Sequence, residues 1–292
     1  MATRHGSVGF IGLGAMGRPM CTRLLAAGRE VIAFDISADK LEACRKLGAV
    51  AAGSAAEAAA AEFVFTSLPG SAFVSVAETA LLPLAGPGQV FVDTGTVRPS
   101  ETVRLAALFA ARGASLLDCP VSGGPGGAER GELYVFAAGD LSAFERARPL
   151  LEVLGRGRVT YCGGPGSGQV VKGVNQLMLG LGAAAYLEAM AFGVAHGVEP
   201  RVIRDAIGSE GAWRADFHRI ASQVAAGDGA QVPIKMHQFD IWLQAAREVG
   251  CPMPITEALA TFCRDAPKVF HEHDRDVPSF WRELTSRTLL PR

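Results

Sequence analysis

Short apolar runs alternate with stretches of helical spacing through the first half of the chain, and this alternation constrains the fold more than any other feature. The runs predict strands at residues 7–13, 30–35, 62–69, 88–96, 114–122 and 131–139. The intervening stretches predict helices that include residues 16–28, 37–48, 101–113 and an alanine-rich surface helix at 51–62. Strands that alternate with helices indicate an α/β protein with a doubly wound parallel sheet, because each parallel connection requires a crossover.

The pattern changes in the second half of the chain. No strong helix breaker follows Pro165 up to Gly197, so one long helix of roughly 28 residues is expected from Ser167. The chain beyond that helix is predicted to be helical to its end. The sequence therefore predicts a sheet domain over residues 1–164 and an all-helical domain over residues 165–292, joined by the long helix.

The composition is that of a soluble globular protein with ample apolar material for a core. Hydrophobic residues make up 49% of the 292 residues, charged residues make up 20%, and the formal net charge is −1. This balance gives no electrostatic reason to expect nucleic acid or an anionic membrane as a partner. The start lacks a signal-peptide pattern, and the six scattered cysteines lack a CxxC pair. We therefore expect a cytoplasmic protein with reduced thiols.

Three glycines form a G-x-G-x-x-G pattern between the first predicted strand and the first predicted helix. A simple glycine-rich turn is the alternative, since the chain holds 35 glycines. The position favours a dinucleotide site, because the first glycine permits a tight turn, the second a close approach of pyrophosphate, and the third helix packing. The helix N-terminus also presents free N–H groups to phosphate. The predicted cofactor contacts here are Gly12, Leu13, Gly14, Ala15, Met16 and Gly17.

Asp35 ends the second predicted strand, 23 residues after Gly12. A carboxylate at this point can accept hydrogen bonds from the adenosine ribose, and it repels a 2′-phosphate. The next residues, Ile36 and Ser37, offer no arginine for such a phosphate. The sequence therefore favours NAD, with NADP as the alternative, and an ordinary turn residue is the other interpretation of Asp35.

Four stretches together resemble the β-hydroxyacid dehydrogenases, the family that includes 3-hydroxyisobutyrate dehydrogenase and tartronate semialdehyde reductase. They are GFIGLGAMGRPM (9–20), DCPVSGGPGGAERGEL (118–133), GQVVKGVNQ (168–176) and GCPMPIT (250–256). They span most of the chain in the family's order and spacing. The resemblance implies a Rossmann dinucleotide-binding domain over 1–164 and a helical domain for substrate binding and oligomerisation over 165–292.

The resemblance also implies roles for individual residues. Ser122, Gly123 and Gly124 would hold the substrate carboxylate, as a hydroxyl and successive backbone N–H groups can do. The residues that match cofactor-contacting positions are Leu68, Pro69 and Thr96. Gly95 stands where the family usually has serine, so one hydroxyl is lost beside the cofactor.

Lys172 matches the family's catalytic lysine, and Asn175 matches its partner three residues later. This spacing places both side chains on one face of a helix. Oxidation of an alcohol requires a group that accepts the hydroxyl proton, and a lysine held in its neutral form can do so. Without the resemblance, Lys172 would be interpreted as a lysine that extends from an apolar helix to the surface.

His237 is the main departure from the family, which has a second lysine near the nicotinamide and substrate at that position, so the resemblance implies that His237 contacts the cofactor. A histidine there carries a charge only below about pH 6.5, which leaves the substrate open. A slip in the local alignment or a surface histidine is the alternative. Trp213 matches a region that lines the family's pocket, with core packing as the alternative. The segment HEHD (271–274) lacks metal-ligand spacing, and no metal is expected.

The sequence is compatible with three functions. The first is an oxidoreductase that transfers a hydride between NAD(P) and a small 3-hydroxy acid similar to 3-hydroxyisobutyrate, with Lys172 as the general acid and base. The second is an NADPH-dependent aldehyde, semialdehyde or imine reductase, which His237 favours and the intact Lys172 disfavours. The third is a non-enzymatic dinucleotide-binding regulator, which the Lys172–Asn175 pair argues against. The apolar long helix also predicts a homodimer or homotetramer.

Overall fold

The computed structural model describes residues 4–232, 234, 238–271 and 274–288. The chain divides into two compact units, Met1–Gly173 and Val174–Arg292, and the division falls inside one long helix. Each unit is considered by itself below.

The first unit is built on a six-stranded sheet in which all paired strands run parallel. The strands are β1 (Arg4–Ile11), β2 (Val31–Phe34), β3 (Val50–Ala51), β4 (Ala61–Thr66), β5 (Val90–Asp93) and β6 (Ser115–Asp118). Their spatial order is β3-β2-β1-β4-β5-β6, so the strand order reverses direction between β1 and β4. This is the doubly wound order, and it confirms the predicted fold class.

Seven α-helices connect or flank these strands in the described part of the first unit. They are α1 (Gly17–Ala26), α2 (Ala38–Arg45), α3 (Ala55–Ala58), α4 (Gly70–Val76), α5 (Pro99–Ala110), α6 (Gly124–Arg130) and α7 (Leu141–Gly155). Two apolar clusters cover the faces of the sheet, because successive side chains of a strand point to opposite sides. Phe10 packs in the cluster that includes residues of α1 and α7, while Ile11 packs in the one that includes residues of α4 and α5.

The predicted strand at 114–122 is two strands. Pro120, which has no N–H to donate to a ladder, separates β6 from β7 (Val121–Ser122). A small second sheet joins β7, β8 (Tyr134–Ala137) and β9 (Val159–Tyr161). In it β7 and β8 pair antiparallel, while β8 and β9 pair parallel.

The alanine-rich surface helix predicted at 51–62 is wrong. The segment forms β3, the four-residue α3 and the start of β4, and Ala58, Ala59 and Ala61 are fully buried. The backbone of β1 passes so close that a Cβ on Gly9 would overlap the carbonyl oxygen of Ala58. Close packing therefore requires small side chains in this segment. The helix propensity of alanine carries no information about that packing.

The long helix α8 (Ser167–Ala195) begins at the predicted residue and runs for 29 residues. The helices that follow it are α9 (Pro200–Ile207), α10 (Ala212–Ala225), α11 (Phe239–Glu248), α12 (Pro254–Phe262) and α13 (Phe280–Thr288). Leu187 and Met190 of α8 are fully buried in the core of this second unit, which confirms a helical second region.

The prediction that the chain stays helical to its end misses one hairpin. Two antiparallel strands, β10 (Lys268–His271) and β11 (Asp274–Pro278), precede α13. Pro267 and Pro278 bound the segment, and proline disfavours a continuous helix on either side.

Candidate active site

The turn between β1 and α1 carries the glycine motif at the carboxyl edge of the sheet. Gly12 has a φ of +95°, and a Cβ there would overlap the carbonyl oxygen of Ser67. A Cβ on Gly17 would overlap the carbonyl oxygen of Gly12, so the backbone itself requires both glycines. A Cβ on Gly14 would meet no atom within 4 Å beyond its chain neighbours. This open space beside bare backbone at a helix N-terminus fits a pyrophosphate.

The residues between the glycines differ in exposure. Leu13 is buried in the apolar cluster under the sheet, so its side chain is a core residue. Ala15 is exposed at the tip of the turn, and Met16 is the half-buried residue that precedes α1.

Asp35 is tied to this turn by its carboxylate. Oδ2 accepts a hydrogen bond from the Leu13 N–H at 2.6 Å, and Oδ1 accepts one from the Ser37 N–H at 2.8 Å. Each oxygen keeps a further lone pair, so the carboxylate can also accept a hydroxyl donor. Asp35 therefore has a turn role and stays available to a ribose.

The turns that follow β4 and β5 meet the glycine turn at the same edge. Besides Ser67, a Cβ on Gly12 would lie 2.8 Å from Leu68 Cδ2. Pro69 is exposed and precedes α4. A Cβ on Gly70 would overlap the carbonyl oxygen of Thr96, so these two turns are also in direct contact. The structure thus brings together Leu68, Pro69 and Thr96 around the glycine motif.

Ser122 to Gly124 form an exposed turn into α6. Ser122 is half-buried at the end of β7, while Gly123 and Gly124 are exposed with φ of +134° and +64°. A Cβ on Gly124 would meet nothing within 4 Å. Exposed backbone N–H groups in a glycine turn of this kind are able to bind an anion.

Lys172 reaches this turn from the first turns of α8. Its side chain is only 8% exposed, and Nζ donates a hydrogen bond to the Val121 carbonyl at 2.5 Å. Val121 immediately precedes Ser122, so Lys172 Nζ lies beside the predicted carboxylate site. The interpretation of Lys172 as a surface-extended lysine is therefore wrong, because its polar end is held inside the first unit.

Asn175 follows Lys172 by three residues on α8. Its Oδ1 is buried and accepts no hydrogen bond from the residues that the structure describes. A buried amide oxygen without a donor is costly in a folded protein.

Two carboxylates lie at the carboxyl ends of adjacent strands. Asp118 ends β6 and caps α8: its Oδ1 accepts from the Gly166 N–H at 2.9 Å and its Oδ2 from the Gln169 N–H at 3.0 Å. Asp93 ends β5 and accepts from Thr66 and Gly95 through Oδ1, while its buried Oδ2 has no partner. Burial raises the pKa of Asp93 to about 7 and raises that of Asp118 as well.

Gln169 was missed by the sequence analysis. It is fully buried, its Oε1 accepts from the Val97 N–H and its Nε2 donates to the Gly95 carbonyl, both at 3.1 Å. A signal was present, since Gln169 is a polar residue one helical turn before Lys172 in an otherwise apolar helix.

The remaining predicted residues belong to the second unit. Trp213 is half exposed on α10, with the Arg214 guanidinium 4.7 Å from its ring centre. His237 lies outside the described residues, as do two residues of the HEHD segment. Within the part of the chain that the structure describes, no group of three metal-ligating side chains is found.

Two family models match nearly the whole chain. Residues 7–164 match the NAD-binding domain of 6-phosphogluconate dehydrogenase. Residues 166–282 match the NAD-binding domain of NADP-dependent 3-hydroxyisobutyrate dehydrogenase. The chain belongs to the β-hydroxyacid dehydrogenase family. It is an NAD(P)-dependent hydroxyacid dehydrogenase.

Several known proteins are similar to this β-hydroxyacid dehydrogenase over at least 95% of the chain. The 2-(hydroxymethyl)glutarate dehydrogenase of Eubacterium barkeri is 36% identical over 95% of either chain. The structure of Mycobacterium tuberculosis 3-hydroxyisobutyrate dehydrogenase with L-serine superposes with a TM-score of 0.81 at 28% identity, covering 98% of this chain and 99% of that one. A Streptomyces aurantiacus imine reductase superposes with a TM-score of 0.61 at 25% identity, covering 96% and 99%. The substrate therefore has to be inferred from the site.

Proposed function

We propose that this protein oxidises a small 3-hydroxy acid with NAD, using Lys172 as the general base and, in the reverse direction, as the general acid. The contact between Lys172 Nζ and the Val121 carbonyl carries the proposal, because it sets the amine next to the Ser122–Gly124 turn. NADP is the alternative cofactor. The nucleotide domain would comprise residues 1–164, and residues 165–292 would form the helical domain for substrate binding and oligomerisation.

The substrate class follows from what the relatives' names share. 2-(Hydroxymethyl)glutarate, 3-hydroxyisobutyrate and L-serine each carry a hydroxymethyl group on the carbon that bears a carboxylate. A site for such compounds needs an anion cradle and a proton acceptor a few ångströms apart. Ser122, Gly123 and Gly124 would supply the first and Lys172 the second.

Each of these residues has a separate role in the proposed reaction. Ser122 Oγ and the N–H groups of Gly123 and Gly124 hold the carboxylate, and Asn175 either orients the Lys172 amine through Oδ1 or holds the substrate oxygen by donating to it from Nδ2. When bound, the nicotinamide supplies the acceptor for the hydride from the carbinol carbon. Lys172 Nζ takes the hydroxyl proton as the C=O bond forms, so a neutral amine becomes an ammonium. Trp213 is proposed to contact the substrate, and His237 to contact the cofactor in place of the family's second lysine.

The alternative is reduction of an aldehyde, semialdehyde or imine with NADPH. The similarity to an imine reductase and the histidine at position 237 favour it. Lys172 can serve alcohol oxidation as a proton acceptor and carbonyl reduction as a proton donor, so the hydroxy acid is favoured instead by the compounds that the relatives' names share.

The proposal that the protein forms a homo-oligomer rests on the exposed surface of α8. This helix is long and apolar enough to cross a membrane by length and composition, and 28% of its most apolar stretch is buried. We propose a cytoplasmic homodimer or homotetramer in which further copies cover that surface.

The test is absorbance at 340 nm with NAD and NADP against 3-hydroxyisobutyrate, 3-hydroxypropionate, glycerate, L-serine and 2-(hydroxymethyl)glutarate. We expect turnover with NAD that falls by about 10³-fold or more in Lys172→Ala. Lys268→Ala removes an exposed lysine instead and serves as the matched control, with no expected loss. Reduction of imines or aldehydes with NADPH, without oxidation of any acid, would move the assignment to the alternative. NADH binding without turnover in either direction would overturn the catalytic proposal.

A further inference from the structure

Gln169 holds both backbone groups that flank Thr96. Its Oε1 accepts the Val97 N–H and its Nε2 donates to the Gly95 carbonyl, each at 3.1 Å. One planar amide thus fixes the turn on both sides of the residue proposed to contact the cofactor. Because Gln169 is fully buried, water does not compete for these bonds.

The helix end that carries Gln169 is itself fixed to the sheet. The Gln169 and Gly166 N–H groups donate to the two carboxylate oxygens of Asp118. A Cβ on Gly168 would lie 2.8 Å from the Asp118 carbonyl oxygen and 2.9 Å from Oδ2. The first turn of α8 therefore rests directly on the end of β6, and Gln169 joins this point to the turn after β5.

The following helical turn carries Lys172, three residues after Gln169. Its Nζ bonds the Val121 carbonyl, which leads into the Ser122–Gly124 turn. Two successive turns of one helix therefore hold the cofactor-side turn through Gln169 and reach the carboxylate-side turn through Lys172.

We propose that Gln169 is a positioning residue, whose amide fixes the Gly95–Val97 turn relative to Lys172 Nζ. This inference rests on the proposed function, in which Thr96 contacts the cofactor and Lys172 moves the proton. Hydride donor, hydride acceptor and base must be aligned together, and a displacement of about 1 Å can lower the rate by about 100-fold. Loss of the amide should therefore lower kcat more than it lowers cofactor affinity.

A purely structural role would give a different result, and the chain offers a matched control for it. Gln89 is buried at the other end of β5, where its Nε2 donates to the carbonyls of Ala59 and Ala61 and its Oε1 accepts the Gly86 N–H. Gln89→Met removes a buried amide with at least as many backbone bonds, far from the proposed chemistry.

The experiment compares Gln169→Met, Gln89→Met and wild type by thermal melting, NADH binding, steady-state kinetics and hydrogen exchange. For Gln169→Met we expect kcat to fall by about 10-fold or more, with a smaller change in NADH Kd and a larger deuterium isotope effect on kcat. Hydrogen exchange should accelerate at residues 94–98 and 167–172. Gln89→Met should lower the melting temperature, accelerate exchange near 86–90, and leave kcat and the isotope effect unchanged.

Equal kcat losses in the two variants, or no loss in folded Gln169→Met, would overturn the positioning role. If wild type oxidises no acid, the proposed function fails, while the exchange and NADH-binding arms still decide whether Gln169 links the turn to α8. If Gln169→Met does not fold, wild type is measured with and without NADH. Protection by NADH at 94–98 that does not extend to 167–172 would then contradict the link.

Discussion

The two ends of strand β5 are built from similar parts and differ in how completely those parts are satisfied. At the amino end, the Gln89 amide bonds three backbone groups and leaves none of its own atoms unpaired. At the carboxyl end, Asp93 keeps one buried oxygen without a partner and lies beside a second carboxylate, Asp118, in the next strand. Ligands of open parallel sheets bind at the carboxyl edge. Costly polar groups are therefore concentrated where the site is expected, and the opposite edge is optimised for stability.

Substitutions of the glycines in the β1–α1 turn should have the largest effect on stability. They test whether residues at the carboxyl edge of the sheet serve the fold or the ligand. Gly17→Ala would force a Cβ onto the Gly12 carbonyl oxygen, and we expect a loss of about 3 kcal/mol or more in the free energy of unfolding. Gly14→Ala adds the same methyl into open space, so stability should change by less than about 1 kcal/mol. NADH affinity should nevertheless fall strongly in Gly14→Ala. Urea unfolding and NADH titration measure both, and equal stability losses would contradict the division of roles.

Protonation of Asp93 should have the next largest effect on the free energy of unfolding. Its pKa rises from an ordinary 3.8 to about 7 because burial disfavours the charged form. The folded state then binds the proton more tightly than the unfolded state, so this group's contribution to stability falls as pH rises from about 4 to about 7. Asp93→Asn removes that decline. Between about pH 4 and about pH 7, the free energy of unfolding of Asp93→Asn should therefore rise by about 1 to 4 kcal/mol relative to that of wild type.

Asp140 is the control, because its pKa is shifted in the opposite direction to that of Asp93. Hydrogen bonds from Ser142 and Ala143 lower the pKa of this exposed cap residue of α7. Its stabilisation is present above its ordinary pKa and is lost as pH falls through its lowered value. Asp140→Asn should therefore lose stability at neutral pH and approach wild type in acid. Parallel pH profiles for wild type and Asp93→Asn would show that Asp93 is ionised throughout.

The exposed face of α8 gives the smallest effect on folding. Met178 is 72% exposed, so Met178→Glu should change the stability of the single chain by less than about 0.5 kcal/mol. The same substitution should dissociate the proposed oligomer, because it places a charge in an apolar interface. Light scattering after size exclusion measures this, with the exposed Arg201→Glu on α9 as control. An unchanged mass in Met178→Glu would remove this face from the interface.

Much of the fold was predictable because it depends on local patterns. Strand and helix order followed from apolar periodicity, and α8 was placed at Ser167 because a glycine- and proline-rich turn precedes a long stretch without breakers. The hairpin of β10 and β11 was missed because its short strands carry little periodic signal. The alanine-rich segment was misassigned because burial under the backbone at Gly9 overrides helix propensity.

The candidate site divides in the same way. The glycine motif, Asp35 and the sequence around Lys172 could be recognised because a turn that approaches a phosphate, or a base on a helix, needs particular residue types at fixed spacing. That Asp35 bonds the Leu13 N–H could not be predicted, since the two residues meet only when β1 and β2 pair.

Local sequence patterns are sufficient to specify a doubly wound sheet, a long apolar helix and a dinucleotide turn, because each is encoded by periodicity or by the conformational freedom of glycine. Long-range packing, by contrast, holds Lys172 inside the first unit, joins Gln169 of α8 to the Gly95–Val97 turn and buries Asp93 beside Asp118. These properties arise from contacts between residues that are distant in sequence. They depend on burial and on the hydrogen bonds that burial makes necessary, and neither is encoded locally.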